Sequence, residues 1–221
     1  AVTACTPAEQ LAIMLSSLLS PLQMQLKELR SSIIKDTCMT ITAIVKALGD
    51  TYDESAATML PMLFELSGSA KKVMSMSAVE CMTAIVTHCR GQGHSFVAVL
   101  SQSVENKSAG IRAHCMSVVT EAVTLWTEEQ LSAHRDVLQS TLHTTMQDSN
   151  ADVRRFARKS FAVFWRLWPD VGEACLAAQP SNSQRAMKKD HPDLGSSVLA
   201  KLETDGGSSS RRQKKHGGGA R

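Results

Sequence analysis

The chain has 221 residues, 43% of them hydrophobic and 20% charged, enough to bury a substantial core in one folded domain. Polar or charged residues interrupt every apolar run before it reaches the roughly 18 residues a membrane helix needs, so no membrane partner is expected. The net charge of +3 is unevenly spread: residues 205–221 carry +4, which leaves the first 204 residues at −1 and excludes a globally basic, nucleic-acid-like surface.

In chain order, residues 1–6 show neither an initiating Met nor a basic leader, the pattern of a fragment rather than of a natural N-terminus. Apolar residues then recur at helical spacing, as in Ile33, Ile34, Met39, Ile41, Ile44, Val45 and Leu48. Helices are predicted over 8–28 (with a break at Ser20-Pro21), 31–48, 54–66, 73–89, 94–105, 111–126, 128–147, 151–167 and 170–178. Breakers such as Gly49-Asp50, Ser67-Gly68-Ser69 and Asp148-Ser149-Asn150 separate them. Short connections between helices of this length imply antiparallel neighbours.

Arg30, Lys72, Arg112 and Arg154 open the second helix of each pair, at separations of 42, 40 and 42 residues. A period of about 40 to 47 residues holding two helices points to a HEAT or armadillo array. The pairs fall at 8–48, 54–89, 94–126 and 128–167, with 170–178 beginning a fifth pair or acting as a cap. Each pair has an apolar face that only stacking covers, so the fold class is all-α, an α-solenoid of HEAT-like pairs. The domain is assigned to 1–192. Residues 193–221, rich in Gly, Ser, Arg and Lys, lack the apolar surface to offset their ordering entropy and read as a disordered tail.

No phosphate loop, nucleophile elbow or carboxylate pair appears, so no catalytic residue and no cofactor is assigned. Cys81, His88, Cys89 and His94, with His114-Cys115 one repeat on, match no compact zinc spacing, and no metal site is assigned. The six cysteines lie far apart inside helical patterns, as small hydrophobes in a reducing compartment would. Trp126, Phe161, Phe164, Trp165 and Trp168 are read as core and cap.

The segment Lys27-Glu28-Leu29-Arg30-Ser31-Ser32-Ile33-Ile34-Lys35-Asp36-Thr37-Cys38 closely resembles the CLASP N-terminal TOG family. The likeness continues through Leu48-Gly49, Met59 to Leu66, Ser69 to Met74, Ser108 to Arg112 and Asp148 to Arg154, covering roughly residues 22–178. It implies a TOG-type superhelix whose loops within each pair contact αβ-tubulin or microtubules, in the cytoplasm, on the cytoskeleton. The residues it points to are Lys27, Arg30, Lys71, Lys72, Lys107, Arg112, Arg154 and Arg155. The family's first repeat, with its tubulin-facing aromatic in the first loop, has no counterpart here, so the expectation is binding weaker than that of a complete TOG, or a chain that begins partway through one. The basic tail is a second expected contact with the acidic lattice, and nucleic acid is not the expected partner. The alternative is a HEAT adaptor that grips a peptide or an acidic protein along its second helices.

Overall fold

In the computed structural model, residues 10, 14, 17–91, 93–202 and the backbone of 203–208 are described. Among them every regular element is helical, and the chain forms two compact units, residues 1–160 and 161–221.

The first unit is built from helix pairs. Helix α1 (Leu19–Gln25) is short, and Pro21 stands in its first turn, where a missing N–H costs nothing. Its partner α2 (Ser31–Leu48) buries Ile34, Cys38, Ile41 and Val45, one stripe at helical spacing. Gly49 then takes a positive φ of 54° that ends the helix.

The second pair opens with α3 (Asp53–Ala57) and α4 (Leu60–Ser67), two pieces of the single helix expected over 54–66. The break has a clear cause. Pro61 cannot donate to the carbonyl of Ala57, so the helix restarts with the proline in its first turn, where that loss is harmless. The pair closes with α5 (Lys72–His88), buried on several sides through Ala78, Cys81, Met82, Ile85 and Val86.

The third pair is α6 (His94–Glu105) and α7 (Ala109–Leu125), and the fourth begins with α8 (Glu128–Ser132) and α9 (Arg135–Thr145). The helix expected over 128–147 is thus also divided. At the break, the His134 N–H donates to Leu131 at three-residue spacing, and the His134 ring meets Phe96 and Trp126 edge-on. The second helix of the fourth pair is α10 (Ala151–Leu167).

Second helices stack on one another, α2 on α5 and α5 on α7, while the first-helix layer runs α3, α6, α9. Polar links fix the register between pairs. The wholly buried Asp53 carboxylate accepts the N–H groups of His94 (3.0 Å) and Ser95 (3.3 Å), capping α6 from the preceding pair. Gly93, with φ 68° at the N-cap of α6, has no side chain to do so itself. Thr120 Oγ1 meets Ser160 Oγ at 2.9 Å, tying α7 to α10, and the Trp126 indole donates to the Val86 carbonyl at 3.1 Å.

The second unit holds the end of α10, α11 (Pro169–Ala177), α12 (Ser181–Asp190) and α13 (Ser197–Ser208). Helix α11 coincides with the helix expected over 170–178, but α12 and α13 differ from the sequence reading. Helix α13 and the buried Leu194 and Leu199 lie beyond position 193, where composition had placed the start of a tail. Half-buried Glu173 organises this region by accepting from Ser197 Oγ (2.6 Å), Val198 N–H (2.9 Å) and the Trp165 indole (3.2 Å). Arg211, Arg212, Lys214 and Lys215, the cations of the expected lattice-binding tail, lie outside the described residues.

Candidate binding edge

Four loops join first to second helices, at 26–30, 68–71, 106–108 and 146–150. In the first, Lys27 and Arg30 are exposed, and Arg30 points outward with 73% of its side chain accessible, 3.8 Å from Glu28. A pair this open contributes little stability. The Lys71 ammonium donates to the Leu29 carbonyl at 2.9 Å, which joins the second loop to the first and gathers Lys27, Arg30, Lys71 and Lys72 along one stretch of edge. Leu29 stands among them 80% exposed, and Val73 is exposed beside Lys72. Neither apolar residue was assigned a role from the sequence.

Arg112 has another role. Its guanidinium, 12% exposed, grips the equally covered Asp148 carboxylate in a fork, Nε to Oδ2 at 2.7 Å and Nη2 to Oδ1 at 3.0 Å. The remaining nitrogen, Nη1, donates to the carbonyls of Asn106 (2.8 Å) and Lys107 (3.3 Å). Burial raises the Asp148 pKa, but the hydrogen bonds from Arg112 and the Asn150 N–H outweigh it and hold the carboxyl below its ordinary value. The same bond to Asp148 raises Arg112. Arg154 repeats half of this grip: its Nη1 donates to the carbonyls of Asp148 (2.6 Å) and Ser149 (2.8 Å), six and five residues back as in Arg112.

The two loops are copies in other respects. Asn106 and Asp148 accept from the N–H two residues ahead, and Ser108 and Asn150 cap the helices that follow. Helix geometry explains why the near-equal spacing of the four cations misleads. Arg30 is the N-cap of α2 and Lys72 the first residue of α5, whereas Arg112 and Arg154 are each the fourth residue of their helices. The set therefore divides into two outward cations and two that lock loops.

Lys107 and Arg155 complete the expected set. Lys107 is exposed on the third loop; Arg155 is exposed, 2.9 Å from Asp152, with its guanidinium 4.7 Å from the centre of the Phe156 ring. The edge thus presents cations from each of its four loops or the helix starts beside them, with an apolar point at its first-loop end.

Among the described residues, no group of three His, Cys, Asp or Glu side chains is placed to hold a metal ion, and no helix is long and apolar enough to cross a membrane. Cys89 donates to the Gly49 carbonyl at 3.4 Å; burial, with Asp53 and Asp50 adding, pushes its thiol up to about 12. Burial alone does the same to Cys115. Both stay protonated, as structural thiols do.

The pairs of the first unit and the loop edge they present define a HEAT-type helical repeat module. The family model described as CLASP N terminal matches residues 6–188, and the chain belongs to that family. CLIP-associating protein 1-B of Xenopus laevis is 25% identical over 187 residues, 85% of this chain and 13% of the relative's length, so the chain spans only a small part of the curated relatives it matches. Among solved structures, the TOG domain from C. elegans Zyg9 superposes with a TM-score of 0.67 at 16% identity, covering 86% of this chain and 71% of that one. The MAST/Orbit N-terminal domain gives 0.62 at 17% identity, covering 88% and 90%. These neighbours share the TOG-type fold.

Proposed function

We propose that this chain is a tubulin-binding TOG-like module of a microtubule regulator, working on the cytoplasmic microtubule cytoskeleton without chemistry of its own. It binds αβ-tubulin or the microtubule through the loop edge, where Lys27, Arg30, Lys71 and Lys72 surround exposed Leu29, with Lys107 and Arg155 extending the contact. Membership of the CLASP N-terminal family supports this reading. The observation that carries it is the bond from Lys71 to the Leu29 carbonyl, which concentrates cations around an apolar side chain in a part of the chain that is nearly neutral overall. Tubulin's acidic surface complements such an edge. Arg112 and Arg154 take part by holding the third and fourth loops in shape.

Gel filtration with αβ-tubulin at increasing salt tests the proposal. Co-elution that weakens as salt rises is the expected result, because exposed charges are screened beyond roughly a Debye length, ~8 Å at physiological salt. Failure to co-elute at low salt would remove free tubulin as a partner.

A further inference from the structure

A groove of about 690 Å³ lies between α2 and α5, lined by those two second helices alone. Its floor includes the buried Cys38, Cys81 and Ala84. The hydroxyls of Thr83 and Thr87 are occupied within α5, donating to the carbonyls of Val79 (2.9 Å) and Thr83 (2.7 Å). The floor is therefore largely apolar, with Thr42 and Ser77 as further polar lining. Along the α2 rim stand Lys35, Met39, Ala43 and Lys46, all exposed, with Met39 60% accessible. Spacings of four, four and three residues keep them on one side of the helix.

Charge is concentrated at the two ends of the groove. Lys35 marks one. At the other, Lys46 and His88 line the groove with Arg90 alongside, its Nε donating to the Thr87 carbonyl at 2.6 Å. Burial lowers the His88 pKa, and the charges of Lys46 and Arg90 lower it further. Glu80 is the single acid in the lining. This cation excess arises in a stretch of 204 residues whose net charge is −1, so it reflects placement. The distance between the ends is defined: Lys35 and Lys46 are eleven residues apart on one helix, which is about 16 Å of rise. An extended chain covers that span in about five residues.

We propose that this groove receives an extended segment of a partner protein in which two acidic residues, about five positions apart, flank a short apolar stretch. The acids pair with Lys35 at one end and with Lys46 and Arg90 at the other, while the apolar side chains lie over Met39, Cys38 and Ala84. The chain's own run Arg211-Arg212-Gln213-Lys214-Lys215 has the wrong sign to fill it.

The test is fluorescence anisotropy of a labelled synthetic peptide with two glutamates about five positions apart and alanine and valine between them, titrated with the full chain. A matched peptide carrying lysines in place of the glutamates is the control. Saturable binding of the acidic peptide alone is expected, weakened roughly tenfold or more by Lys46→Glu. Ala43→Trp, which fills the mouth, should weaken it without changing any charge. Both substitutions replace exposed side chains, so helicity and melting stay as in the parent, and microtubule binding by the loop edge is retained. The proposal is overturned if the acidic peptide does not saturate, if the lysine peptide binds equally well, or if both variants bind like the parent.

Discussion

Replacing Arg112 by alanine separates a structural arginine from a binding one. In the folded chain its guanidinium makes two charge-assisted bonds to Asp148 and two to loop carbonyls, with both partners nearly covered. Removing one member of a buried pair costs about 3–5 kcal/mol when the other charge is left bare. Asp148 still accepts the Asn150 N–H at 2.8 Å and keeps some access to water, so the cost falls to about 2–4 kcal/mol. In a domain of this size that corresponds to a drop in Tm of roughly 5–15 °C. Asp148→Asn should cost less, about 1–3 kcal/mol, because the amide oxygen still accepts one bond. The double variant should fall short of the sum by roughly 1–3 kcal/mol, the signature of direct coupling. Denaturant and thermal unfolding followed by circular dichroism give all three values. Unfolding within about 0.5 kcal/mol of the parent, together with lost microtubule binding, would refute the reasoning and return Arg112 to the interface.

Two further predictions concern stability. Burial pushes the Glu173 pKa up, but hydrogen bonds from Ser197, Ser196, Val198 and Trp165 prevail and bring it down to about 2. Its folded value is below its unfolded value of roughly 4.3, so its contribution is complete above that pH and disappears as pH falls toward 2. The stability gap between parent and Glu173→Gln should therefore shrink between about pH 5 and pH 2; a gap independent of pH would show that the carboxylate charge is not what matters. At Gly93, a Cβ would come within 2.1 Å of His134 Nε2 on a backbone already at φ 68°, so Gly93→Ala should lose about 1–3 kcal/mol in the same unfolding assay. An unchanged midpoint would mean that His134 moves aside freely.

How much of this the sequence revealed depended on which physical signal each element carried. Helix α2 was readable because Ile34, Cys38, Ile41 and Val45 repeat at one helical face. The long first helices of the second and fourth pairs were readable as helix but not as broken. Pro61 was in view, yet the break at His134 depends on ring contacts with Phe96 and Trp126, residues far away in the chain. Helix α12 has Met187 as its only large buried apolar side chain and is otherwise polar, so no periodicity announced it. Helix α13 lies where composition turns toward Gly and Ser, although Leu199 is buried. At the candidate edge, the spacing of Arg30, Lys72, Arg112 and Arg154 was visible, but spacing in sequence is not register in space. Asp148, 36 residues from Arg112, decides that arginine's role, and nothing local pairs them.

The central claim is that tubulin contact is made by the outward cations of the first two loops. Co-sedimentation with stabilised microtubules of the full chain, as parent and as Arg30→Glu with Lys72→Glu, tests it most directly. Both side chains are exposed at helix starts, where acidic residues are favoured by the helix dipole, so the variant should keep its helicity and melting behaviour. The account predicts that the parent pellets with microtubules and the folded double variant stays in the supernatant. A folded double variant that pellets like the parent would contradict it.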